Sequence, residues 1–381
     1  MINTPAHIPL TKYKDYKNDK FATYENWFTN YGLNAYFTLD NWRTTGKKQD
    51  LITNIDLGLK PFDWLDFTYR ASLTSRGIAE RDLTVGTKST PFGQSRGKTP
   101  IPSSLEEYSY NQTILTSELF ANVTKQINDD FKFNGILGTF VRQNEYRATT
   151  VGAGNLVIPE LYNISIRTGN LTGNSDGYKT RLFSTYGSAG FNYKNWANLE
   201  FTGRWDKTST LAPGNNSYFY PGVNAAVVVS DALDITSDFF NYLKIRGAWT
   251  KTANSDISPY FLEATFSQAN GFPFGVVSGL TANNESYNYN LKPERINTTE
   301  AGFEAGFWNN RLTLEATYFF SKNTDQIIRV STSEASGYSR TNTNAASFNS
   351  KGVDFDFNLS PLIKFNDGGI NFRGNFLCND S

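Results

Sequence analysis

The sequence is short of the residues on which many functional sites depend. Of its 381 residues, one is cysteine, Cys378, and one is histidine, His7. A single thiol cannot build a disulfide framework or a cysteine zinc site. A single imidazole excludes metal sites and catalytic triads built around histidine. Charge of one sign is also missing. Lys+Arg number 36 and Asp+Glu 36, whereas a dedicated nucleic-acid binder carries a basic excess. The longest apolar run, Ala225–Val229, is five residues, so no helix can cross a membrane. A barrel that crosses with strands is not excluded, because its strands need only alternate. Met1–Tyr16 holds no basic segment followed by an apolar core, so no signal peptide is visible there.

What the sequence does hold is rings. Aromatic residues are 15% of the chain, and Phe alone contributes 30. They sit in period-2 patterns. Leu65, Phe67, Tyr69, Ala71 and Leu73 alternate with Asp66, Thr68, Arg70, Ser72 and Thr74. Leu199, Phe201 and Trp205 alternate with Glu200, Thr202, Arg204 and Asp206. The same pattern recurs at Leu243–Trp249, Leu312–Phe320, Val353–Leu359 and Ile370–Phe376. It predicts about a dozen strands, near 51–60, 65–75, 112–126, 130–142, 180–194, 197–207, 218–230, 241–252, 298–307, 311–329, 349–360 and 368–379. A further strand is read near 33–39. No stretch sustains a 3.6 period.

The connections sort by length. Short turns are expected at Pro61–Trp64, Ile127–Asp129, Asn195–Trp196, Asp231–Phe240, Asn309–Asn310 and Pro361–Asp367. Long polar excursions are expected at 76–111, 143–179, 208–217, 253–297 and 330–348, in strict alternation with the turns. Pro259–Phe266 is left inside one loop. Short turns at one end and long loops at the other are the topology of outer-membrane barrels. Strands of ten or more residues suit a tilted membrane crossing. Trp64, Trp196, Trp205, Trp249, Trp308 and Tyr318 are read near strand ends, where rings favour the headgroup level. The fold class is therefore all-β, an antiparallel transmembrane barrel portion of about 12–13 strands.

On the polar faces, Asp66, Arg70, Glu200, Arg204, Lys244, Arg246 and Glu315 are expected to face a lumen. Each is read first as plain solvation of the wall, and second as a contact to a plug or solute. No catalytic, cofactor or metal residue emerges. Gly152–Gly154 is the one Gly-x-Gly, read as following a strand-poor stretch and preceding no helix, which argues against a phosphate cradle. His7 reads as an incidental loop residue and Cys378 as a small packing residue.

Several strings resemble one family. Leu291-Lys292-Pro293-Glu294, then Thr299-Glu300-Ala301-Gly302-Phe303-Glu304, resembles a segment of SusC/RagA-type TonB-linked outer-membrane transporters. Phe307–Leu312, Tyr318–Asp325, Gly337-Tyr338, Asn344 and Asn349-Ser350-Lys351-Gly352-Val353-Asp354 are similar to the family's next short turn and strands. Tyr218–Val223 and Leu243–Trp249 are similar to its preceding strands. Leu291, Lys292, Pro293, Glu294, Glu300, Gly302, Lys351 and Gly352 are read as structural. The resemblance implies a barrel of about 22 strands with a plugged lumen. It implies energy delivered by TonB, a SusD-like surface lipoprotein as lid, and oligosaccharide or peptide cargo. No cofactor, no nucleic-acid partner and no enzymatic activity are expected, and outer-membrane lipid is expected around the wall. Residues 1–50 are expected to be a barrel segment with extended loops, and 51–381 the barrel portion, incomplete at both ends, with the plug and TonB box absent.

Two other readings stand beside this one. A secreted soluble β-protein, acting as a carbohydrate-binding module or adhesin, would bury its apolar faces within itself. An outer-membrane enzyme would have to work with carboxylates, since no strand holds a histidine.

Overall fold

The computed structural model describes residues 4–29, 32–158, 161–235, 237–366 and 368–381. Met1 and the expected turn boundary Asp367 lie outside them. Eight long strands come first: β1 (Trp42–Phe62), β2 (Leu65–Thr84), β3 (Ser104–Gln126), β4 (Phe131–Gly154), β5 (Thr172–Tyr193), β6 (Ala197–Thr208), β7 (Ser217–Val228) and β8 (Phe240–Asn254). Three short strands come next: β9 (Phe266–Gln268), β10 (Leu280–Ala282) and β11 (Glu285–Ser286). Four long ones complete the chain: β12 (Glu294–Phe307), β13 (Leu312–Ser331), β14 (Arg340–Lys364) and β15 (Gly369–Asp380). Each long strand pairs with the next long one. β11 lies parallel beside the start of β14, which completes a thirteen-stranded sheet. Among the described residues β1 pairs only with β2, and β15 only with β14.

The twelve long strands fall where alternation places them, but several are longer. β2 continues to Thr84 and β3 begins at Ser104, inside the expected loop 76–111. β4 and β5 likewise enter 143–179, so Gly152–Gly154 closes a strand rather than following a strand-poor stretch. In these extensions apolar residues are sparse and irregularly spaced, although Leu83, Leu105 and Ala153 pack together there. A ladder of backbone hydrogen bonds needs no apolar stripe, so alternation gives no sign of it. The sorting of connections is also not strict. The turn at 229–239 is longer than the loops at 209–216 and 332–339.

The strand expected near 33–39 is a helix, α1 (Ala35–Asn41). Asn34 decides this. Its side chain accepts the Tyr36 amide at 3.0 Å and donates to the carbonyls of Tyr13 and Ala22, so it caps the helix from a fully buried position. The loop 255–293 keeps Pro259–Thr265 out of any strand. It folds a small sheet of its own, the β9–β10 hairpin.

The chain divides into two units. The first holds residues 1–53, 73–114 and 144–179, and the second 54–72, 115–143 and 180–381. Buried apolar clusters are small in both: Leu105, Ala153 and Leu156 in the first, and Leu211, Ala212, Leu262 and Leu291 in the second. The apolar stripes of the strands are not packed on anything. Leu57 is 60% exposed, Leu59 65% and Leu137 67%. Cross-strand register gathers them into rows, such as Phe191, Leu199, Ala225, Gly247, Ala301, Tyr318, Val353 and Cys378. Cys378 is thus exposed on an apolar face rather than packed inside.

Rings concentrate at the short turns of the second unit. Phe62 stacks on Trp64 at 5.4 Å, Tyr193 meets Trp196 at 5.1 Å, and Phe239 meets Trp308 at 5.5 Å. Trp249 and Tyr318, by contrast, lie well within β8 and β13. His7 is exposed in a turn.

Candidate functional site

The face opposite the apolar rows is polar, and register sets its order. Lys244, Glu304, Glu315 and Asp356 are direct neighbours across β8, β12, β13 and β14. The next row toward the longer loops is Arg246, Gly302, Thr317 and Asp354. Three carboxylates side by side would repel. Two cations offset Glu304 and Glu315, and Arg373 approaches Asp356 at 3.9 Å. Lys244 Nζ lies 3.0 Å from Glu304, and Arg246 lies 2.9 Å from Glu304 and 2.5 Å from Glu315. Arg246 also donates to Thr317 Oγ1 at 2.7 Å.

Gly302 makes that reach possible. A Cβ there would lie 3.2 Å from Arg246 Nε and 2.7 Å from the Ala316 carbonyl. With no side chain between them, the guanidinium crosses β12 and spans two strands. Gly352 plays a similar part further along, because the Phe319 ring lies over it, 2.6 Å from where a Cβ would sit.

Of the other charges expected on this face, Asp66 is exposed, and Arg70, Arg204 and Glu200 are engaged. Arg70 bonds Asp56 at 2.8 Å and approaches Glu118 at 4.0 Å. Arg204 bonds Asp206 and Ser184, both at 2.8 Å, and Tyr220 donates to Asp206. Glu200 accepts from Asn224 at 3.0 Å. The wall is therefore cross-linked by its own charges, where plain solvation was the first expectation. The partners Glu304, Glu118 and Asp56 were not foreseen, because alternation shows which face a residue takes and not which neighbour it meets.

The Leu291–Glu294 string ties the longest loop to the sheet. Leu291 is fully buried against Leu211, Ala212 and Leu262. The Lys292 amide donates to Asn344 Oδ1, and Asn344 Nδ2 donates to the carbonyls of Lys292 and Asp325. Asp325 sits at φ 57°, where β13 slips register against β14. Pro293 is buried. Glu294 accepts the Ile327 amide and the Asn254 side chain, both at 3.0 Å. Lys351 pairs with Asp380 at 3.4 Å, and Glu300 is exposed beside Ala248 and Phe319.

A second knot lies in the first unit, away from the strands. Glu25 is 2% exposed and accepts from Ser89 Oγ, the Thr90 amide, Thr90 Oγ1 and Tyr24 Oη. Burial raises a carboxyl's pKa, but these donors outweigh it and hold Glu25 below the usual value. Burial and the adjoining carboxylate push Tyr24 up to about 12. Among the described residues no group of three or more His, Cys, Asp or Glu could hold a metal ion.

An antiparallel meander with an exposed apolar face and a charged opposite face also occurs in known proteins. Residues 6–377 match the model of the family described as TonB dependent receptor-like, beta-barrel. The chain belongs to this family of TonB-dependent receptor barrels. Its members reside in the outer membrane. The receptor P26 of Formosa agariphila is 30% identical over 50% of this chain, and SusC of Bacteroides thetaiotaomicron is 27% identical over 49%. The chain spans 19% of the length of each of these curated relatives. The RagAB peptide transporter shares the fold, with a TM-score of 0.82 and 18% identity over 91% of this chain and 38% of that one. The apolar faces that a soluble sandwich would bury are exposed, which removes the soluble-module alternative.

Proposed function

We propose that this TonB-dependent receptor barrel is the wall of an active importer, taking up oligosaccharides or peptides too large for passive pores. The observation that carries the reading is the division of the sheet. One face is an unpartnered apolar surface suited to lipid, and the other is a wall braced by the Lys244–Glu304–Arg246–Glu315 ion pairs. In this reading TonB supplies the energy, and a SusD-like lipoprotein covers the side of the long loops. The chain acts without a cofactor and does no covalent chemistry. Leu291, Lys292, Pro293 and Glu294 serve structurally by anchoring loop 255–293. Gly302, Gly352, Glu300 and Lys351 serve the sheet itself, the glycines by making room for Arg246 and Phe319. Residues 51–381 act as barrel wall, and 1–50 as a barrel segment with extended loops that includes the start of β1.

The test is uptake by cells carrying or lacking the full-length receptor, fed fluorescent oligosaccharides and peptides. Import that requires both the receptor and the proton gradient supports the reading. Equal uptake in the deletion strain refutes it. Affinity purification of the receptor should bring down a surface lipoprotein in near-equal amount, and its absence would rule out the lid.

A further inference from the structure

Four tyrosines stand in line on one face of β3, β4 and β5. Tyr108 and Tyr110 have ring centroids 6.5 Å apart. Tyr110 meets Tyr146 at 5.1 Å, and Tyr146 meets Tyr178 at 4.9 Å. These spacings lie within the favourable range for ring pairs. All four are half-buried, so each ring covers part of its neighbour and keeps surface open. Tyr108 and Tyr110 hold even positions of β3, the parity of Glu118 on the same strand.

The line continues into amides. The Tyr110 hydroxyl donates to Gln112 Oε1 at 2.9 Å, and Gln112 Nε2 donates to Asn144 Oδ1 at 3.0 Å. Each nearby cation has a carboxylate partner: Arg76 and Lys48 meet Asp50 at 2.9 and 3.0 Å, and Lys179 and Arg147 meet Glu145 at 3.2 and 3.5 Å. Holding the strands together does not require these rings, since β-branched side chains would do it as well.

We propose that the Tyr108–Tyr110–Tyr146–Tyr178 ladder is a cargo-contact track for the sugar rings of a neutral oligosaccharide. This rests on the importer reading and narrows its cargo. A pyranose offers a C–H face that packs on an aromatic ring. Its hydroxyls both donate and accept, as the Gln112 and Asn144 amides do. Tyrosine supplies contact area while fixing only two side-chain angles. Several rings in series let successive sugar units be held in turn, which suits passage better than one tight site. An anionic cargo would call for a cation without a carboxylate partner, and Arg76, Lys48, Lys179 and Arg147 each have one.

The experiment is calorimetric titration of the full-length receptor in detergent micelles. The probes are maltohexaose, laminarihexaose and xylohexaose, with hexagalacturonate and a tryptic peptide mixture alongside. At least one neutral hexasaccharide binds. Tyr146→Ala and Tyr178→Ala each weaken it about tenfold, equivalent to about 1.4 kcal/mol. Tyr146→Phe stays within about twofold, because stacking needs the ring and not the hydroxyl. Binding by Tyr146→Ala equal to wild type overturns the proposal, as does binding of the peptides or hexagalacturonate alone, or of none of the neutral probes. Cellular uptake separates this from the importer reading. Peptide import that persists in the alanine variants, with no neutral sugar bound, ends the track and leaves the importer standing. Gradient-driven uptake that does not depend on the receptor ends the importer itself.

Discussion

Asn344 and Lys292 form a reciprocal pair: the Lys292 amide donates to Asn344 Oδ1 at 2.9 Å, and Asn344 Nδ2 returns a bond to the Lys292 carbonyl at 2.9 Å. The same Nδ2 reaches the Asp325 carbonyl at 2.7 Å, at the point where β13 shifts register. One side chain thus fixes the foot of loop 255–293 to an irregularity in the sheet. Asn344→Ala removes all three bonds and should cost about 1–3 kcal/mol locally. Hydrogen exchange of residues 255–293 checks this, with faster exchange confined to that loop as the expected result. Unchanged exchange would show that Leu291 burial suffices as the anchor.

Arg246 keeps Glu304 and Glu315 together across β12 and β13. Arg246→Ala leaves the two carboxylates as direct register neighbours, and should cost about 1–3 kcal/mol. Gly302→Val should mimic it by blocking the path of the guanidinium. Thermal unfolding in micelles measures both. A Gly302→Val protein as stable as wild type would mean that Arg246 has another way across.

Glu25 links the N-terminal segment to the turn at Ser89 and Thr90. Its folded pKa is lowered below the ordinary value of 4.5. The carboxylate therefore contributes stability that is present above about 4.5 and is lost as pH falls through the folded value. Proteolysis of the segment before β1 should quicken on acidification below that point. Glu25→Gln should be labile at neutral pH already and lose the acid step, at a cost of about 1–3 kcal/mol. An acid step that survives in Glu25→Gln would place the titrating group elsewhere.

The two faces of β14 should answer a charge differently. Val353→Arg places a cation on the apolar row beside Tyr318 and Cys378, and should cost about 2–4 kcal/mol where that row crosses the bilayer midplane. Asn358→Arg sits on the opposite face near Asp356 and Glu315, and should be tolerated. Folding yield into lipid vesicles compares them, and equal yields would contradict the assignment of the faces.

The reach of alternation differs from strand to strand. It located β6, with Leu199 and Phe201 on one face and Glu200 and Arg204 on the other, to within a residue or two at each end. It failed at the ends of β2–β5, where the few apolar residues, such as Leu105 and Ala153, pack locally and set no regular period. It misread residues 33–39, where the buried Asn34 cap and its bonds to Tyr13 and Ala22 favour a helix. The Leu291–Glu294 and Gly302 strings were visible as a family pattern, but the reason for them was not. Gly302 is needed because Arg246 passes over it, and Arg246 is remote in sequence.

The order of residues along the chain is enough to assign each one a face, because successive side chains of a strand point opposite ways and that rule is local. It leaves open whether those apolar faces are buried within the protein, and the folded sheet decides this by leaving them exposed. Which residues meet across the strands is a property of the folded sheet alone: Glu304 with Arg246, Asn344 with Lys292, Tyr146 with Tyr178. Register between strands is set by the whole ladder of pairings at once, and no short stretch of sequence contains it.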